Sequence, residues 1–209
     1  MNESDSTQTG SFSRRTFFKS VGTTAVGVAA VQVQSVAAEL EKINKDKIVG
    51  PGDVPLILKV NGQARKLNVE PRVTLLDALR NRLDLTGPKK VCDRGTCGAC
   101  TVLVDGHPVY SCSMLALEAE GREITTVEGL GTPEKLSEVQ KAFIEHDGQQ
   151  CGFCTPGFVT ACTAFVHSHP NASIEDVRAG LGGNLCRFGT YAGIMLAAVD
   201  AAKSTKGGA

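Results

Sequence analysis

There is no tryptophan in this chain, aromatic residues make up only 5% of it, and 22 basic side chains are cancelled by 22 acidic ones. A balanced charge argues against a nucleic-acid binder, which would show a basic excess or a basic stripe. No Ser/His/Asp set and no pair of carboxylates suggests that the chain performs bond chemistry itself. No dinucleotide fingerprint appears either, so neither an NAD site nor a flavin domain is expected. Tandem repeats are missing as well. The 42% hydrophobic content still suits one or two small globular domains. Neither would bury a large core, which leaves room for metal staples.

What the chain does have is eight cysteines and a distinctive beginning. Ser13-Arg14-Arg15-Thr16-Phe17-Phe18-Lys19 is a twin-arginine sequence, and Ser20 to Ala38 carries no charge. Small residues at Ser35 and Ala37, or at Val36 and Ala38, suit a cleavage site near residue 38. Residues 1–38 are therefore expected to be an export signal leading to the periplasm, with an uncleaved membrane anchor as the alternative. That route carries proteins already folded, which suits a chain whose cofactors are inserted first.

Residues 39–53 read as a linker, charged and then bearing proline and glycine. Leu56 to Val60 and Ala64 to Val69 are β-prone runs around Asn61-Gly62, a strong hairpin signal. Thr74 to Leu83 has leucines at helical spacing, with Thr74 as N-cap and Asp77 three positions on. Thr101 to Val104, a turn at Asp105-Gly106, Pro108 to Tyr110 and Ile124 to Val127 supply further strands. Residues 54–130 thus read as a small α+β sheet with one helix across it. Residues 131–205 change period. Lys135 to His146 should present Leu136, Val139, Phe143 and Ile144 on one face; Thr155-Pro156 opens a second helix that stops at His169-Pro170. Ser173 caps a third, ended by Gly182-Gly183, and Tyr191 to Lys203 makes a fourth, giving an all-α four-helix bundle.

Disulfides are the first reading for cysteines in an exported protein, but the spacing argues otherwise. Cys92, Cys97, Cys100 and Cys112 read C-x4-C-x2-C-x11-C, and Cys151 and Cys154 read C-x2-C. Such clusters converge several thiolates on one point. The first spacing is that of plant-type [2Fe–2S] ferredoxins, in which four thiolates approach two irons from both ends. Gly95 and Gly98 should supply positive φ angles in that loop. A closed zinc site is the alternative, although zinc sites usually pair two short cysteine knuckles and this segment has one. Asp93 and Arg94 are expected to shape the loop electrostatically.

With CDRGTCGACTVLVDG and QQCGFCTPGF…GGNLCRFGTY together, residues 54 to 203 resemble the small iron–sulfur subunit of the molybdenum hydroxylases, the xanthine oxidase and aldehyde oxidoreductase family. The resemblance implies a plant-ferredoxin-like β-grasp domain with one [2Fe–2S] cluster. It implies a following four-helix domain with a second, near the molybdopterin cofactor of a large partner subunit. It also matches Gln150 to a glutamine that hydrogen-bonds the pterin. The family's second motif ends in C-x-C, whereas this chain has Cys186, Arg187 and Phe188. Phenylalanine cannot coordinate iron, so the second ligand set is Cys151, Cys154 and Cys186, one short.

Cys162 lies eight residues beyond Cys154 on one expected helix, about 12 Å along its axis, and reads as core packing. His167 and His169 read as a helix end rather than a metal pair, and His107 and His146 as surface residues. Three outcomes are open for the second site: a cluster held by three thiolates and an outside donor, no stable cluster, or a sequence variant that does not represent the working protein. The first is preferred because Gln150, Gly152, Gly157, Gly183 and Asn184 keep the family pattern. The implied function is that of an electron-transfer subunit of an exported molybdopterin-dependent hydroxylase. It would pass electrons from the partner's cofactor to a cytochrome c, or to a flavin subunit. A free-standing ferredoxin-type carrier or sensor with a degenerate second site is the alternative.

Overall fold

The structure, a computed structural model, describes residues 50–205. The expected signal and most of the expected linker lie outside the described residues. Among the described residues no helix is long and apolar enough to cross a membrane.

Two hairpins build the first half. Strands β1 (Val54–Val60) and β2 (Gln63–Val69) pair antiparallel around Asn61 and Gly62, whose φ values of 51° and 77° are those a tight two-residue turn demands. Strands β3 (Thr101–Val104) and β4 (His107–Tyr110) repeat the device at Asp105 and Gly106, with φ of 50° and 80°. The short strand β5 (Glu123–Thr125) then runs parallel to β1 and antiparallel to β3, giving the sheet order β2-β1-β5-β3-β4. Strand β1 alternates, burying Leu56, Leu58 and Val60 on one face. Helix α1 (Leu75–Arg82) covers that face with Leu75, Ala78 and Leu79, starting where Thr74 Oγ1 accepts the Asp77 N–H at 3.2 Å.

Helices α2 (Glu138–Glu145), α3 (Thr155–Ser168), α4 (Ile174–Gly180) and α5 (Tyr191–Ser204) form the second half around their own core, including Phe143, Phe158, Val166, Val177 and Ile194. All four residues of β3 are buried, unlike the alternating β1, because α3 packs across the face of β3 that would otherwise meet water.

Several boundaries differ from the sequence reading. Strand β5 stops at Thr125, since Asn61 bonds Thr126 through both its Oδ1 and Nδ2 and turns the chain into a 3-10 turn over Val127–Gly129. Helix α2 starts only at Glu138, where Ser137 and Gln140 cap it reciprocally. Its core face is Val139, Ala142 and Phe143, and Ile144 is 70% exposed. Helix α4 ends at Gly180, before Gly182-Gly183. His146 is partly buried and faces Asp200 at 3.4 Å, not a bare surface residue.

Candidate metal centres

Chain reversal assembles the first cysteine set. Pairing Thr101 with Tyr110 across the β3–β4 hairpin returns residue 112 to the side of residue 100, and the Ser111 Oγ clamps the Cys100 carbonyl at 2.7 Å. Cys100 and Cys112 are buried beneath Leu76 of α1, beside Tyr110. Cys92 and Cys97 sit farther out, half-buried in the loop before β3. The loop turns its amides inward by positive φ at Asp93 (55°), Gly95 (66°) and Gly98 (70°). As a result Gly95 N–H reaches Cys112 Sγ at 3.2 Å and Thr96 N–H reaches Cys92 Sγ at 3.4 Å. Backbone amides, that of Arg94 first and that of Thr96 after it, hold the Cys92 thiol down at about 6. Burial pushes Cys100 up to about 12. The thiols fall into neighbouring pairs, Cys92 with Cys97 and Cys100 with Cys112. Two pairs are what two tetrahedral irons require. Lys90 closes the loop from outside, bonding Asp77 at 3.0 Å and Asp93 at 3.2 Å.

The second set gathers where two helices begin. Cys154 is the N-cap of α3, Gly152 (φ 78°) turns the chain between it and Cys151, and Cys186 lies just before α5, whose N-cap is Thr190. Partial positive charge at two helix N-termini favours an anionic occupant. A T-shaped contact between Phe158 and Tyr191, with centroids 6.0 Å apart, locks the two helices together. Tyr191 Oη also accepts the Cys186 N–H at 2.8 Å. Burial pushes the Cys186 thiol up, but the Thr190 hydroxyl at 3.0 Å and the Phe188 N–H at 3.4 Å outweigh it and leave its pKa lowered. Burial raises Cys154 to about 11, with Cys186 as its neighbouring thiol. Cys151 is exposed, as is Gln150 before it. These three cysteines line a cavity of about 430 Å³ together with Cys97 and Phe188.

The two sets are bonded to each other. Leu185 N–H, one residue before Cys186, donates to the carbonyl of Cys97 at 2.9 Å. Asn184 is buried and gives its Nδ2 to Gly98 O at 3.0 Å, and Tyr110 donates to Gly183 O at 2.7 Å. Gly157 of α3 lies flat on the first loop, where a Cβ would meet Gly98 O and stand 3.0 Å from Ala99 Cα. None of Tyr110, Leu185 and Tyr191 stands out in the sequence as part of a site: Tyr110 and Leu185 act through Gly183 and Cys97, dozens of residues away, and Tyr191 joins nearby Cys186 to distant Phe158.

The sequence matches known proteins along this same layout. Residues 58–130 match the 2Fe-2S iron-sulfur cluster binding domain, and residues 126–199 match the [2Fe-2S] binding domain. The aldehyde oxidoreductase iron-sulfur-binding subunit PaoA of Escherichia coli O157:H7 is 42% identical over 211 residues, covering 94% of this chain and 90% of that one. The chain is an iron–sulfur small subunit of the molybdenum hydroxylase family. The nicotine 6-hydroxylase small subunit of Paenarthrobacter nicotinovorans is 46% identical to this small subunit over 152 residues, 72% of this chain and 92% of that one. Quinoline 2-oxidoreductase from Pseudomonas putida 86 superposes with a TM-score of 0.70 at 43% identity, covering 73% of this chain and 95% of the matched chain. The architecture of this iron–sulfur small subunit is accordingly a ferredoxin-like domain followed by a helical one.

The residues fit two [2Fe–2S] groups unequally. Four thiols in two pairs with amides turned to sulfur suit the first. At the second, three thiols and two helix N-termini favour an anionic group; Thr155 Oγ1, next to Cys154 in the chain, is buried without a hydrogen-bond partner. Cys162 is fully buried in the helical core, its thiol raised to about 12 by burial alone. His169 stacks on Phe165 at 4.5 Å between centroids, at the end of α3, and His167 and His107 are exposed.

Proposed function

We propose that this chain is the electron-transfer subunit of an exported molybdopterin-dependent hydroxylase, relaying electrons from the molybdenum cofactor of a large partner subunit to a periplasmic acceptor such as cytochrome c. The observation that carries the reading is the Leu185 N–H to Cys97 carbonyl bond of 2.9 Å, which links the two cysteine sets through one hydrogen bond. Cys92, Cys97, Cys100 and Cys112 would hold the first [2Fe–2S] cluster; Cys151, Cys154 and Cys186 would hold the second, with Phe188 in place of a fourth ligand. When bound, such clusters supply one-electron storage at potentials tuned by charge, hydrogen bonds and exposure.

The chain's own residues do the rest. Asn184, Tyr110 and Gly157 clamp the two loops so that the bridging bond keeps its length. Val91, Phe153, Leu185 and Phe188, each about half exposed, ring the mouth of the second cavity. A cluster of large apolar side chains at one opening marks a contact surface, which favours a subunit covered there by a partner over a free-standing carrier. Gln150, exposed and one residue before Cys151, would bond the partner's pterin.

The test is purification of the exported complex from its native host. The chain is expected to co-purify with a large molybdopterin-binding subunit. Anaerobic addition of an aromatic aldehyde or N-heterocycle should then bleach the iron–sulfur absorbance, and added cytochrome c should restore it. A chain recovered alone, with no substrate-driven bleaching, overturns the reading. Export is checked by changing Arg14 and Arg15 to Lys, which should leave the chain in the cytoplasm.

A further inference from the structure

The two halves of the chain meet along an open groove of about 790 Å³ that the electron-relay reading does not use. Phe165 and His167 of α3 line one side, with His169 at the helix end, and His107 and Tyr110 of β4 line the other. His107, His167 and His169 are exposed, so the groove is open to water. No cysteine is among the described residues that line it. Two buried cysteines nevertheless lie one side chain away.

That side chain is Tyr110. It lines the groove and also packs on Cys100 and Cys112, which are only 2% and 7% exposed. Leu76, itself fully buried, covers the same pair from α1. The tyrosine Cδ2 comes 3.9 Å from where a Cβ on Gly95 would stand, beside the amide that donates to Cys112 Sγ at 3.2 Å. Its hydroxyl reaches across 73 positions of chain and donates to Gly183 O at 2.7 Å, in the segment that leads to Cys186. Gly183 has no room for a side chain, because a Cβ there would strike Tyr110 Oη. One residue therefore touches the buried thiols of the first motif and the backbone of the second.

We propose that Tyr110 is a positioning residue for the first cysteine set: its ring keeps groove water from Cys100 and Cys112, and its hydroxyl ties that wall to Gly183 of the second motif. The proposal rests on the reading of Cys92, Cys97, Cys100 and Cys112 as a [2Fe–2S] ligand set and asks nothing of the second set. Reduction there adds negative charge, which water stabilises and an apolar wall does not. Tyr110 thus holds the reduction potential of the first set down, and a displacement at Gly183 is felt there through one hydroxyl.

The experiment uses the iron-loaded complex, with iron and acid-labile sulfide counted first. The EPR signal of the first set, recognised by its change in Cys112→Ser, is followed through a redox titration and again after exchange into heavy water. Tyr110→Ala removes the wall. The midpoint should move up, by as much as about tenfold in the one-electron reduction constant or ~59 mV, and deuterium modulation of the signal should deepen. Tyr110→Phe keeps the ring and should match the wild type in both readings. Gly183→Ala pushes on the hydroxyl and should move both readings in the direction of Tyr110→Ala. Placed on Tyr110→Phe, the same Gly183→Ala change should do nothing, since the atom it strikes is gone. This pair of backgrounds decides the matter even where Tyr110→Ala fails to fold. Readings unchanged by Gly183→Ala, or changed equally in both backgrounds, overturn the proposal. A wild type with no signal that responds to Cys112→Ser overturns instead the first-site reading on which it stands.

Discussion

Gly157→Ala puts the contact between the two halves under direct strain. In an isolated helix the change would help, by about 1 kcal/mol. Here the new methyl would collide with the Gly98 carbonyl and stand 3.0 Å from Ala99 Cα and 3.2 Å from Ala99 C, all backbone atoms of the first cysteine loop. Backbone cannot rotate away as a side-chain tip can, so α3 or the loop must move, at a cost of about 1–3 kcal/mol for overpacking. Because the site is backbone against backbone, the upper half of that range applies. The net loss is then roughly 1–2 kcal/mol, or ~2–8 °C in melting temperature for a chain of this size. Urea unfolding of the iron-loaded chain reads it, with the slope unchanged. Gly189→Ala is the control: nothing lies within 4 Å of its Cβ, so stability should stay within about 0.5 kcal/mol. A Gly157→Ala chain as stable as the wild type, or more so, would refute the close seating of α3 on the loop.

Three further expectations follow from single side chains. Cys162→Ala should cost about 1 kcal/mol for one heavy atom lost from the core and leave iron content unchanged, as measured by metal analysis. Thr155→Val removes an orphaned buried hydroxyl, so the iron-free chain should be neutral or up to ~1 kcal/mol more stable. Asp176 has its carboxyl held below the usual value of 3.8 by the Ser173 hydroxyl and then the Ser173 N–H, at 2.7 and 2.9 Å. A depressed folded pKa means the cap stabilises α4 above the unfolded value and is lost as pH falls through the folded one. NMR titration of Asp176 should place its midpoint below 3.8, and Asp176→Asn should remove that acid-limb dependence.

Much of the site was legible because its signals are local. The C-x4-C-x2-C loop, the glycines that turn its amides and the Thr74 cap each occupy a few consecutive residues, and the structure places them as the spacing implied. Asn61-Gly62 and Asp105-Gly106 dictate their turns for the same reason. What could not be read was long-range. Nothing near Leu185 announces that its N–H will meet Cys97, 88 positions earlier by subtraction of their numbers. Ile144 fits the apolar period of α2 but faces water, because α2 needs only the narrow face of Val139, Ala142 and Phe143 to meet α5. Strand β5 ended early for a similar reason: the side chain that stops it, Asn61, belongs to another hairpin.

The most direct test of the account is iron and acid-labile sulfide counted on the purified wild-type chain, with EPR after reduction. Two [2Fe–2S] clusters on one chain predict about four irons and about four sulfides, with two distinguishable signals. About two of each, with one signal, would contradict the account by showing that Cys151, Cys154 and Cys186 hold nothing once Phe188 replaces the fourth ligand.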